Sequence, residues 1–80
     1  PKPATAVLLN ILRSQRVDHE EHQILEKERF PIKPMSVDEA IESLDSTRIG
    51  LVVFRNSETE RVNVLYRRDD GNLGLIEPEP

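Results

Sequence analysis

The chain has 80 residues, 36% of them apolar, no cysteine and a formal net charge of −4. A chain this short makes one small domain whose core alone rarely supplies more than about 3–5 kcal/mol; disulfides and a four-cysteine zinc site are excluded as additional supports, which leaves self-association as the remaining source of stability. Lysines and arginines are scattered rather than gathered into the stripe that phosphate binding requires, so direct nucleic-acid binding is disfavoured. The longest apolar run, Ala6–Leu9, falls far short of the ~20 residues of a membrane span.

Residues 1–22 read as a linker. Within it, Thr5 can cap a helix, and Leu8, Ile11 and Leu12 stand at helical spacing, which predicts a helix over 6–16, although "AVLL" alone also suits a strand. "DHEEH" is charged and unpatterned. Residues 23–80 read as the domain proper. "QILEKERFPI", residues 23–32, has enough apolar positions for a strand that Pro31 confines to an edge or brings to an end. "MSVDEAIESL" carries the clearest local signal. Ser36 followed three residues later by Glu39 is a capping box, and Asp38 and Glu39 fall in the first turn, where the helix dipole favours anions. A helix therefore begins at Val37, presents Ala40, Ile41 and Leu44 as a narrow apolar stripe, and stops at "DSTR".

"IGLVVF", residues 49–54, is apolar on both sides, the pattern of a strand covered twice. "VNVLYR" alternates, and "DDGN" supplies a turn in which Asp70-Gly71 is the favoured two-residue pair, since glycine tolerates positive φ. That turn sets Arg68 against Leu73, Tyr66 against Leu75 and Leu65 against Ile76. An antiparallel three-stranded meander with apolar residues on both faces needs two covers, and one short helix supplies one of them. The face left over is built either from Ile49, Leu51, Val53, Leu65 and Ile76 or from the opposite set around Val52, Phe54, Val62, Val64, Tyr66 and Leu75. Each such side chain left wet forgoes roughly 1.5–3 kcal/mol. The simplest cover is a second copy of the same surface in a symmetric homodimer. Ile49, Leu51, Val53, Leu65 and Ile76 are taken as the contact set, and the N-terminal helix folding over that face is the alternative.

The sequence offers little to chemistry. His19 and His22, with Glu20 and Glu21 between them, stand at a spacing that converges on a metal only if the segment is helical and further ligands exist. A small metal-dependent hydrolase built on them is the enzymatic alternative; a solvated linker accounts for them better. Asp69 and Asp70 are explained by turn formation rather than acid–base work, because a hairpin tip lacks the desolvated cleft that tunes a catalytic carboxylate. Arg67 and Arg68 beside Tyr66 read as a charged strand end rather than a base-stacking site. No catalytic residue, metal or cofactor is assigned.

"RFPIKPMSVDEAI" and "VVFRNSETERVNVLYRRDDGNLGLIEP" together resemble the C-terminal domain of the long form of the ribosome hibernation-promoting factor, over about residues 24–79. The resemblance implies an α+β domain with a β-α-β-β-β arrangement, no enzymatic activity, and homodimerisation through its sheet. In that family an N-terminal domain binds the decoding region of the small ribosomal subunit, and the C-terminal domain pairs with its twin on another ribosome, joining two inactive ribosomes into a 100S particle. The partners implied are a second copy of this chain and, through an N-terminal domain not present here, the small subunit. The runner-up is a monomeric domain docking on a ribosomal protein or on its own N-terminal domain. The chain starts at Pro1 rather than at a methionine and reads as a piece of something longer. The bacterial cytoplasm, or a plastid stroma, is the expected location. Where the family commonly has "LLGHDFFVF", this chain has "STRIGLVVF", which puts Leu51 at an aromatic position; Leu73 replaces the aromatic usual after "DGN".

Overall fold

A computed structural model describes residues 5–14 and 23–80. The chain divides into two compact units, Pro1–Pro31 and Ile32–Pro80. The first contains strands β1 (Ala6–Leu12) and β2 (Ile24–Pro31). The second contains, in chain order, β3 (Pro34–Met35), helix α1 (Val37–Leu44), β4 (Leu51–Asn56), β5 (Val62–Arg67) and β6 (Leu73–Ile76).

The helix expected over 6–16 is overturned: residues 6–12 are a strand, paired antiparallel with β2 so that Val7 opposes Phe30, Leu9 opposes Glu28 and Ile11 opposes Glu26. Leu8, Ile11 and Leu12 do share a helical spacing, but Leu9 lies off that stripe, and Val7, Leu9 and Ile11 stand at the two-residue period of a strand. The β-branched Val7 and Ile11 also favour an extended chain. Residues 15 and 16 of that expected helix, and the "DHEEH" segment with His19 and His22, lie outside the described residues. β2 ends at Pro31, which has no amide hydrogen to continue a ladder.

In the second unit the strand order is β3-β4-β5-β6, with β3 parallel to β4 and the other neighbours antiparallel. The unit is α+β, a β-α-β-β-β path with α1 as the crossover between the parallel pair. Its first strand is the two-residue β3, not the 23–32 segment, whose partner is β1. Arg55 N–H donates to the Lys33 carbonyl at 3.0 Å and Ser57 N–H to the Met35 carbonyl at 2.9 Å, which holds the short strand in place.

α1 starts where side chains replace missing backbone partners. Glu39 N–H donates to Ser36 Oγ at 3.1 Å, and Ser36 N–H donates to Glu39 Oε1 at 3.0 Å. At the other end, Ser46 Oγ and Thr47 Oγ1 donate to the carbonyls of Ser43 and Leu44, so the last turn is satisfied locally and stops. Ala40 and Leu44, four residues apart, enter the core with Val52, Phe54 and Leu65, and Met35 and Val37 pack at its margin. Phe54 is wholly buried and Leu65 is 2% exposed, each worth roughly 1.5–3 kcal/mol in burial. Ile41, expected in the same stripe, is exposed.

Two turns set the phase of the strands. Between β4 and β5, Asn56 N–H donates to the Arg61 carbonyl at 2.9 Å, and the intervening loop closes with Glu60 N–H on the Asn56 carbonyl at 2.7 Å. Glu60 takes a left-handed φ of 61°, a conformation with no glycine to announce it. Between β5 and β6, Gly71 N–H donates to the Arg68 carbonyl and Arg68 N–H to the Asn72 carbonyl, with Gly71 at φ 88°. This is a three-residue loop, Asp69–Gly71, a tight turn followed by a left-handed glycine. The two-residue Asp70-Gly71 turn is therefore corrected by one position. Arg67 opposes Leu73, Tyr66 opposes Gly74, Leu65 opposes Leu75 and Val64 opposes Ile76. A slip of one residue exchanges the two faces of β6.

Candidate functional site

Directly opposed residues of an antiparallel pair point to the same side, so the registers assign every side chain of the sheet to a face. Val52 lies beside Leu65 and Leu75, and Phe54 beside Asn63; this is the side against which α1 packs. The other side holds three rows: Leu51, Tyr66 and Gly74; Val53, Val64 and Ile76; Arg55 and Val62. No element of the Ile32–Pro80 unit covers it. Leu51, Val53, Val62, Val64 and Tyr66 are half-buried, and Ile76 is 57% exposed. Six apolar side chains on three strands thus form one continuous open surface.

Tyr66 is fixed on that surface by an absence. A Cβ added at Gly74 would overlap the Tyr66 ring, so only glycine lets the ring lie across β6. At the adjoining hairpin tip, Arg68 Nε donates to both carboxylate oxygens of Asp70, at 3.2 and 3.0 Å. Asp70 raises the Arg68 guanidinium above its ordinary value, with the Tyr66 hydroxyl contributing next, and Arg68 holds the Asp70 carboxyl below its own. Asp70 Oδ1 also accepts from the Asn72 amide at 3.0 Å. Tyr66 therefore meets solvent at a charged rim, and its ring lies among aliphatic groups.

The contact set proposed from the sequence is divided by the structure. Leu51, Val53 and Ile76 share the open face. Leu65 does not: it lies in the core under α1. Ile49 lies before β4, outside any strand, and is 42% exposed. Val62, Val64 and Tyr66, assigned from the sequence to the opposite face, join Leu51 and Val53 instead, while Val52, Phe54 and Leu75 face the helix side. The signal that separates these sets is turn length: with Asn56 opposed to Arg61, Leu51 must meet Tyr66 and not Leu65.

The helix side carries a polar feature that the sequence reading did not single out. Asn56 and Asn63 are 5% and 1% exposed, and Asn56 Nδ2 donates to Asn63 Oδ1 at 2.9 Å. Asn56 Oδ1 accepts from the Glu58 amide at 3.0 Å, so this buried side chain also shapes the β4–β5 turn. Among the described residues no buried side-chain polar atom lacks a partner.

For chemistry the described residues offer little. No group of three or more histidine, aspartate or glutamate side chains is placed to hold a metal among them. A shallow groove of about 480 Å³ between β3 and α1 is lined by Lys33, Pro34, Met35, Glu39, Glu42, Ser43 and Ser46. Its Glu39 carboxylate is engaged by Ser36, which holds its pKa below the ordinary value, and Ser43 Oγ donates to Met35 Sδ. No described helix is long and apolar enough to cross a membrane.

Comparison with known proteins supplies the family. Residues 19–75 match the model of the family described as sigma 54 modulation/S30EA ribosomal protein C terminus. The ribosome hibernation promotion factor of Bacillus subtilis is 44% identical over 61 residues, which cover 76% of this chain and 32% of that protein. The ribosome-binding factor PSRP1, chloroplastic, of Spinacia oleracea is 35% identical over 57 residues, 71% of this chain and 19% of that protein. A ribosome hibernation promotion factor of Bradyrhizobium diazoefficiens is 43% identical over 47 residues, 59% of this chain and 23% of that protein. The match spans about a third or less of each of these relatives. With its family model matched over 19–75, the chain belongs to the sigma 54 modulation/S30EA ribosomal protein C-terminal family.

Proposed function

We propose that this chain is the non-enzymatic joining module of a long ribosome hibernation factor. Two copies meet through the open sheet face, and each copy is attached to a small ribosomal subunit through a separate N-terminal domain, so that two inactive ribosomes are held together as a 100S particle. The relatives' names supply the ribosome, and the portion of each relative outside the match leaves room for such a domain. Self-association rests on one observation, the six apolar side chains of Leu51, Val53, Val62, Val64, Tyr66 and Ile76 that nothing in their own unit covers. A symmetric pairing of that face with itself is the simplest arrangement that shelters them all. The acidic chain itself touches no RNA in this reading; its place is the bacterial cytoplasm or a plastid stroma.

Aliphatic groups dominate the face and Tyr66 is its one aromatic, which points to a contact of moderate strength, since aromatics supply much of the binding energy of strong interfaces. Ribosome tethering compensates by raising the local concentration of the second copy. Sedimentation equilibrium across a wide concentration range tests the reading. A mass rising to twice 9.2 kDa in the parent chain, and staying at the monomer value in Leu51→Asp with unchanged circular dichroism, is the expected result. A monomer at every concentration sinks it and favours docking on a ribosomal protein or on the N-terminal domain.

A further inference from the structure

β1 and β2 form a two-stranded ribbon, so each has an outer edge whose backbone groups meet no described strand. Such edges invite another chain unless something discourages it, and a two-stranded ribbon is marginally stable by itself, whereas three or more strands can stand alone.

The two edges differ in charge. β2 reads Glu26, Lys27, Glu28, Arg29. Two-fold pairing of β2 with a second copy, centred on Lys27, sets Glu26 against the second copy's Glu28 and Lys27 against itself; centred on Glu28, it sets Lys27 against Arg29 and Glu28 against itself. Every symmetric register through this charged stretch opposes like charges, which is destabilising. β1 has no charged residue in its seven, "AVLLNIL". Centred on Leu9, two-fold antiparallel pairing engages all seven residues, the one symmetric register that does: Leu9 meets Leu9, Val7 meets Ile11, Ala6 meets Leu12 and Leu8 meets Asn10. Leu8, Ile11 and Leu12 are 60%, 37% and 47% exposed, so most of these side chains have area left to bury.

We propose that the outer edge of β1 is a second self-association element, which pairs with β1 of another copy about Leu9 to make a four-stranded sheet ordered β2-β1-β1-β2. The uncharged strands occupy its middle and the charged strands guard its rims. β1 lies outside the residues matched to the family and shares no residue with the face proposed above, so this contact is a separate one.

Because the chain contains no cysteine, a single introduced thiol reports the register directly. In the full chain, Leu9→Cys under mild oxidation is expected to form a covalent dimer about tenfold faster than Lys27→Cys, because pairing raises the effective concentration of the partner thiol and directly opposed strand residues lie within disulfide reach. A mixture of Val7→Cys and Ile11→Cys chains is expected to cross-link while neither cross-links alone, and this serves also if Leu9→Cys disturbs the fold. Equal rates for Leu9→Cys and Lys27→Cys, or cross-linking of Val7→Cys alone as fast as the mixture, overturns the register and the proposal. Placing Leu9→Cys in the Leu51→Asp background separates the two contacts. A retained yield supports an independent edge, and a lost yield shows that the strands meet only when the sheet faces do, which refutes it.

Discussion

The two sides of the four-stranded sheet are built from the same strands and nearly the same residue types, yet they invert the usual rule of inside and outside. The side under α1 buries two asparagines, paired with each other at 2.9 Å and otherwise satisfied. The opposite side carries six apolar groups that no element of their own unit covers. A buried polar pair is tolerated because its hydrogen bonds are complete, and a contiguous apolar surface that its own unit leaves uncovered is the kind of patch that marks an interaction site. The difference teaches that composition does not tell these faces apart. What tells them apart is which neighbours the register supplies.

The sharpest way to break that comparison is to put the same charge on each side. Leu65→Asp places a carboxylate among Ala40, Leu44, Val52 and Phe54 with no partner, a cost on the order of 3–5 kcal/mol or more. That equals the whole stability available to a domain of this size. Leu65→Asp is expected to lose its circular dichroism signal and its cooperative melt, whereas Leu51→Asp keeps both and loses only self-association. If both variants unfold, or neither does, the faces have been assigned wrongly.

A smaller change probes the polar pair. Asn63→Ala removes the acceptor for Asn56 Nδ2 while Asn56 stays engaged with the Glu58 amide, so a buried donor is orphaned at a cost of roughly 1–3 kcal/mol. Urea unfolding is expected to show that loss with little change in slope. Double replacement of Asn56 and Asn63 by alanine then costs less than the two single changes added together, because the second removes the orphan left by the first.

On the open side the corresponding probe is Gly74→Ala. Its methyl group takes the space of the Tyr66 ring, and overpacking of this kind costs about 1–3 kcal/mol. In a Tyr66→Ala background the same change is expected to be nearly neutral in chemical denaturation. Equal penalties in both backgrounds would mean that the ring does not lie across β6.

How far these faces could be read from sequence follows from what sets each feature. Ser36, Glu39 and the start of α1 depend on residues three apart, and the pattern is written out in the chain. The spans of β4, β5 and β6 follow from apolar runs between polar turns. Phase between strands is set by turns, and both turns concealed it. Glu60 adopts a left-handed conformation that no glycine marks, and Gly71 closes a three-residue loop where "DG" suggested two. One residue of error in each transfers Leu65, Val64 and Tyr66 across the sheet. β1 escaped for another reason: four adjacent apolar residues fit either period, and its partner β2 is more than ten residues away.

The smallest expected effect lies at the two charged ends, one on each side of the comparison. Glu39 caps α1, and Asp70 closes the hairpin beside Tyr66; both carboxyls are held below their ordinary values of 4.5 and 3.8, Glu39 first by the Ser36 amide and Asp70 first by Arg68. For a group whose folded pKa is lowered, the unfolded chain takes up its proton at the higher pH. The stabilisation is therefore complete above the unfolded values and is lost as the pH falls below about 4.5 and through the folded values. Both groups are exposed to solvent, so salt screens the effect and its size is modest. Melting temperatures between about pH 6 and pH 2 should fall on the acid side; Glu39→Gln and Asp70→Asn should each flatten part of that fall while lowering the plateau near neutral pH. An acid limb that is unchanged in both variants would place the pH dependence elsewhere in the chain and remove the hairpin tip and the helix cap as its source.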